Sequence, residues 1–189
     1  PIQDSVVMTK AMEMCVQLDL PVMVHCEDAS LAKGGSMNEG AMSAMLGLKG
    51  IPCTAEEIMV SRNCLLSLQT GCQIHIMRVS TWGAVEIIRQ FKYLGAPITC
   101  EVTPQHFTFT EDAVGEFDTM FKMLPPLRTD VDVEILLQAI GDGTIDCIAS
   151  DHSPHATSGT NAPFEEAPFG NVGLESVVGV TLTKLTHPG

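Results

Sequence analysis

The chain is short of positive charge. Its 189 residues hold ten lysines and arginines against 23 aspartates and glutamates, a formal net charge of −13. With a pI near 4.6, this balance argues against a nucleic-acid surface, which needs clustered Lys and Arg for phosphate. No unbroken apolar run approaches the ~20 residues of a membrane-spanning helix, although 45% of residues are apolar. The opening Pro1-Ile2-Gln3-Asp4 has no basic stretch and no apolar signal-peptide core. There is no CxxC pair. The seven cysteines, at 15, 26, 53, 64, 72, 100 and 147, are scattered and odd in number. Reduced, mostly buried thiols are therefore expected. Linkers, low-complexity stretches and short repeats are missing as well. Together these absences predict a single, soluble, cytoplasmic domain with no nucleic-acid or membrane partner.

What is present is a regular alternation of helix and strand patterns. Asp4 to Leu18 carries a helical face of Val7, Met8, Ala11, Met12, Cys15 and Val16. Leu20-Pro21-Val22-Met23-Val24 reads as a strand, with proline at its start. Asn38 to Leu48 reads as a helix. Thr54-Ala55-Glu56-Glu57 reads as a capping box opening a helix to about Leu68. Cys72 to Val79 reads as a strand, and Ser80 as the cap of a helix ending near Tyr93, with Gly95 as its stop. Ala96 to Val102 is a strand, Val131 to Ile140 a helix ended by Gly141, and Ile145 to Ser150 the last strand. Leu174 to Leu185 is helical, and Thr186-His187-Pro188-Gly189 closes the chain without an element. Four strands among helices predict an α/β fold with a parallel sheet.

Two strand ends carry the chemistry. The apolar run ending at Ser150 delivers Asp151-His152-Ser153-Pro154-His155, and the earlier strand delivers His25-Cys26-Glu27-Asp28. In a β/α barrel the C-terminal ends of strands face the active-site mouth. Asp and His there can hold a metal, move a proton or bind an anion. Four strands do not close a barrel, so the pattern fits part of a larger one.

The motifs then become specific. LPVMVHCED at 20–28, Met37-Asn38-Glu39-Gly40, Val79-Ser80-Thr81, Thr99 to Pro104, Pro125-Pro126-Leu127-Arg128, DGTIDCIASDHSPH at 142–155, and Ala167-Pro168-Phe169-Gly170 with Gly173-Leu174-Glu175 occur in one order. In these residues the chain resembles type I dihydroorotases of the amidohydrolase superfamily; hydantoinases and allantoinases share part of the pattern. The resemblance implies residues 1–189 as one partial amidohydrolase domain, strands five to eight of a TIM-like (β/α)8 barrel, truncated at both ends. It implies metal-dependent interconversion of carbamoyl aspartate and dihydroorotate in pyrimidine biosynthesis, with zinc as cofactor and a homo-oligomer as assembly. Asp151 matches the family's metal ligand and general acid/base, and His25 its fifth-strand metal ligand. His155, with Pro168 and Gly170, matches the groups around the substrate carboxylate. The family's first-strand His-x-His pair, the arginine beside it and the fourth-strand bridging residue have no counterpart in this sequence. The resemblance also admits a non-catalytic subunit partnering aspartate transcarbamoylase, and a hydantoinase- or allantoinase-type hydrolase.

Two positions depart from the family pattern. The family's sixth strand ends His-Val-Ser-Thr, and that histidine binds metal; here Arg78 stands in its place. A guanidinium has no free lone pair for a cation. His75 lies three residues earlier, an odd offset that on an extended strand points to the other face. Leu124 replaces an asparagine that hydrogen-bonds the substrate ring. This chain alone is therefore expected to be inactive, with Arg78 acting as an internal cation held by a two-pronged contact with Asp151 or Glu101. Cys26, beside His25, is not expected to be a nucleophile; Glu101 is expected to be a buried, paired acid supporting the site, and His106 either to bond backbone or to touch ligand.

Overall fold

The computed structural model describes residues 1–186. His187, Pro188 and Gly189 lie outside the described residues.

In chain order the elements are α1 (Ser5–Gln17), β1 (Val22–His25), α2 (Ala29–Ala32), β2 (Met37–Asn38), α3 (Ala41–Leu46), β3 (Gly50–Ile51), α4 (Thr54–Thr70), β4 (Ile74–Met77), α5 (Trp82–Tyr93), β5 (Ile98–Val102), α6 (Asp130–Gly141), β6 (Cys147–Ile148), α7 (Thr157–Thr160) and α8 (Val177–Leu185). Two single 3-10 turns, Glu111–Val114 and Thr119–Phe121, lie between β5 and α6. β1, β4, β5 and β6 form one parallel sheet in that order, and β2 pairs with β3 in a two-residue ladder. This is the α/β arrangement that the alternating pattern predicts, with the four strand ends on one rim.

Local chemistry sets the boundaries. Asp4 caps α1, its carboxylate accepting from Val6 N–H at 2.8 Å and Val7 N–H at 3.0 Å. Asp28, the last residue of the HCED stretch, caps α2 in the same way through Ser30 and Leu31. Its role is thus structural. Gly71 and Gly95 stop the helices before them at φ 74° and 85°, where any side chain would be strained. Three expected boundaries move. α3 starts at Ala41 because Met37–Asn38 is used as a strand. Thr81, not Ser80, caps α5 through its hydroxyl and Ala84 N–H. The Thr54 capping box does not form: Cys53 is the cap residue without a side-chain bond, and Glu56 turns inward to accept from Ser80 N–H at 2.9 Å.

The core lies on one face of the sheet. Val24, Ile74, Ile76, Ile98, Cys100 and Val102 point at α1, α4, α5 and α6 and meet Met12, Val60, Ile88 and Leu136 there. Each fully buried aliphatic side chain of this set contributes roughly 1.5–3 kcal/mol. Residues of opposite parity, Met23 and His25 on β1, His75 and Met77 on β4, Thr99 and Glu101 on β5 and Cys147 on β6, face away from the helices. Met23 is 59% exposed on this second face. All seven cysteines are free; four are buried and Cys147 is exposed. No helix among the described residues is long and apolar enough to cross a membrane.

Candidate functional site

The rim formed by the ends of β1, β4 and β6 gathers His25, Arg78 and Asp151. β4 stops at Met77, and Arg78 follows at φ 54°; Asp151, three residues after β6, has φ 47°. Aspartate tolerates this left-handed region better than most residues. Arg78 Nη1 donates to Asp151 Oδ1 at 3.2 Å and to the Leu124 carbonyl at 3.1 Å. The contact with Asp151 is thus made through one nitrogen, not two, and Glu101 is engaged elsewhere. Leu124, whose side chain cannot hydrogen-bond, takes part through its backbone.

His25 is half-buried on the same rim. Neither ring nitrogen has a hydrogen-bond partner, and the nearest carboxylate oxygen, on Glu27, is 3.9 Å away. Burial pushes its pKa down to about 4, with the positive charge of Arg78 adding to the effect. The adjacent Cys26 faces the core instead, accepting from Asn63 Nδ2 at 3.3 Å, and burial pushes its thiol up to about 12. A thiol held neutral in that way is no nucleophile.

A second segment closes one side of the rim. His155 Nε2 meets the Phe169 carbonyl at 2.8 Å, and Gly170 N–H donates to the Lys122 carbonyl at 2.8 Å. Gly170 sits at φ 109°, and a Cβ there would lie 2.6 Å from Ser153 Cβ, so this approach requires glycine. Pro168 lies over Gly159, where an added Cβ would meet its ring at 3.4 Å. The loops at 151–155 and 167–170 are therefore packed together. Between the second of them and Glu27 lies a cleft of about 310 Å³, lined also by Leu124, Lys122 and Phe169.

Lys122, which pattern reading passed over, anchors this arrangement. It is 2% exposed, and its ammonium donates to the carbonyls of Phe164, Glu165 and Ala167 at 2.6, 3.0 and 2.7 Å. It also lies 4.7 Å from the Phe169 ring centroid. Burial lowers its pKa. A lysine directly after a 3-10 turn gives no sequence signal for such a cage.

Other expected positions resolve into support. His106 is buried, with Nδ1 against Thr103 Oγ1 at 2.7 Å and Nε2 against the Pro125 carbonyl at 2.8 Å. Arg128 of the Pro-Pro-Leu-Arg stretch ties Asn38, Ile51 and Ser80 together. Glu101 pairs with His75 at 3.1 Å. His75 lies on the open face of the sheet. The left-handed turn at Arg78 breaks strand alternation, so the parity argument does not carry from one to the other.

A metal at the rim would need three or four donors. His25 offers unpartnered nitrogens, but Asp151 is engaged by a guanidinium, which has no lone pair to give. The rim residues of this chain do not fit a metal. What the arrangement can do is hold a carboxylate beside a fixed cation, at the edge of a cleft.

The sequence is similar to known proteins throughout. A family profile described as dihydro-orotase-like matches residues 1–84. A protein named dihydroorotase from Pelotomaculum thermopropionicum is 47% identical over 189 residues, 100% of this chain and 44% of that protein. One from Caldanaerobacter subterraneus subsp. tengcongensis is 48% identical over the same shares. The chain thus spans less than half the length of these curated relatives. Among solved structures, an L-hydantoinase (dihydropyrimidinase) from Arthrobacter aurescens superposes with a TM-score of 0.86 at 24% identity, covering 98% of this chain and 43% of that one. A D-hydantoinase from a Thermus species gives 0.83 at 23%, with the same coverage. The structural likeness shows the fold: a parallel α/β arrangement that corresponds to about 43% of each of these larger chains.

Proposed function

We propose, on the premise that this chain is dihydroorotase-like along its whole length, that it supplies part of the active-site mouth of a cyclic amide hydrolase interconverting dihydroorotate and carbamoyl aspartate. The carrying observation is Asp151, whose carboxylate is presented to the rim on left-handed backbone and fixed there by Arg78. In the hydrolytic direction a water attacks the ring amide carbon. Asp151 accepts the water's proton and returns it to the departing ring nitrogen. Arg78 holds the carboxylate in place. His155 is exposed and bonded to a backbone carbonyl, so it can exchange that partner for the substrate's carboxylate. Gly170 N–H is already committed to Lys122, which leaves the 168–170 backbone a shaping role.

Zinc follows from the family resemblance. The rim of this chain does not fit it, and no step above is routed through it. A homo-oligomer in the cytoplasm is the assembly and place that such a biosynthetic enzyme would have.

The test uses the whole protein that contains this chain. Turnover of carbamoyl aspartate that falls at least ~100-fold in Asp151→Asn supports the reading. Turnover indifferent to that change overturns it. A second reading, a non-catalytic dihydroorotase-like subunit partnering aspartate transcarbamoylase, is favoured by the Arg78–Asp151 pair itself. It predicts no turnover in the parent and none after Arg78→His with Leu124→Asn. If the double variant instead gains activity and one further equivalent of zinc, the non-catalytic reading fails.

A further inference from the structure

We propose that His75, Glu101 and Cys147 form a binding site for a borderline-soft divalent cation such as Zn²⁺, on the sheet face turned away from the helices and separate from the rim. One ligand atom from each lies within 4.8 Å of the others. Register explains the grouping. Glu101 pairs directly with Cys147, and His75 pairs with Thr99, two residues before Glu101 on the same face. Three adjacent strands thus each offer one donor to one point. An imidazole, a carboxylate and a thiolate are the donors that zinc takes, and three of them with an open fourth position for water is a familiar zinc arrangement.

His75 is held at both ring nitrogens. Its Nδ1 lies 2.8 Å from Thr99 Oγ1, and its Nε2 lies 3.1 Å from Glu101 Oε2. A histidine whose far nitrogen is fixed by a hydrogen bond is also how metal-binding imidazoles are oriented. Binding Zn²⁺ here releases one proton, from the Cys147 thiol, to solvent. The alternative is a direct hydrogen bond between His75 Nε2 and Glu101 Oε2, which gives Cys147 no part.

Cobalt(II) separates these cases, because thiolate coordination gives a charge-transfer band in the near ultraviolet that N/O coordination lacks. Titrating the protein with Co²⁺ should produce this band, and one equivalent of Zn²⁺ should abolish it. The band should vanish in Cys147→Ser. It should survive in Thr99→Val, with Co²⁺ affinity about tenfold weaker from loss of the orienting bond. His75→Gln should weaken Co²⁺ by at least that factor, in protein whose circular dichroism matches the parent. Absence of a thiolate band at saturating Co²⁺, or its persistence in Cys147→Ser, overturns the proposal.

Discussion

Arg128 and Arg78 each bring a fixed positive charge to the region beyond the strand ends, and their surroundings differ at almost every atom. Arg128 is 2% exposed; Nη1 donates to Asn38 Oδ1 at 2.7 Å and to the Ile51 carbonyl at 2.8 Å, and Nε donates to Ser80 Oγ at 3.2 Å. Glu56 stands 3.8 Å away as its counter-charge, itself 4% exposed. Arg78 uses Nη1 alone, and its buried Nε has no partner. A closed set of bonds suits a group that holds the fold and never changes partner. An open set suits a group at a place where something else can bind. The same residue type, near motifs of the same kind, thus serves as a fastener in one region and as an adjustable charge in the other.

The strongest way to break this contrast is Arg128→Met. It leaves Glu56 buried without its cation, and removing one member of such a pair costs about 3–5 kcal/mol. Burial already raises the Glu56 pKa while Arg128 opposes that rise. Urea unfolding should show a loss of this size, or no folded protein; a loss under ~1 kcal/mol would erase the distinction between the two regions.

His106 belongs to the closed region and sharpens the contrast through pH. Burial holds its pKa near 4, below the ordinary 6.5, despite the Pro125 carbonyl favouring protonation. The unfolded chain therefore binds this proton more readily than the folded one. The His106 contribution is complete above about pH 6.5 and is lost as pH falls towards 4, by roughly 3 kcal/mol. Urea midpoints measured across that window should fall with pH in the parent, and this component should disappear in His106→Gln.

The smallest effect is expected at the rim. Arg78→Met removes a pair whose side chains keep 21% and 12% of their exposure. Partial screening limits its worth to about 1 kcal/mol or less. A stability loss matching that of Arg128→Met would mean that the rim is as rigidly built as the region behind it.

Much of the architecture was legible because the strands here are buried on one face and the helices carry caps. Val22 to Val24, Ile74 to Ile76 and Ile98 to Val102 repeat at the sheet's period, and Asp4, Gly71 and Gly95 mark ends by their own chemistry. The last strand was overdrawn: Ile145 to Ser150 reads as one run, yet only Cys147–Ile148 is a strand. Asp146 before it spends its carboxylate on Cys100 N–H and Lys92. Nothing local in sequence shows that Glu56 turns inward, because its partner Ser80 lies 24 residues away. At the site, sequence pointed to Asp151, His25 and Arg78, and the Arg78–Asp151 contact is present. Lys122 was not legible, because its partners are backbone carbonyls, which every residue has. Leu124 was discounted on its side chain, and it acts through its carbonyl.

The left-handed backbone at Arg78 bears on ancestry as well as on chemistry. A φ of 54° is awkward for most side chains, and histidine is among the residues found there more often than average. The chain path at this position is therefore already shaped for histidine. Arginine and histidine codons can differ by a single base, so exchange between the two needs one nucleotide and no rearrangement of the main chain. In genetic terms, the step separating a fixed internal cation from a potential metal ligand at this strand end is short and open in both directions.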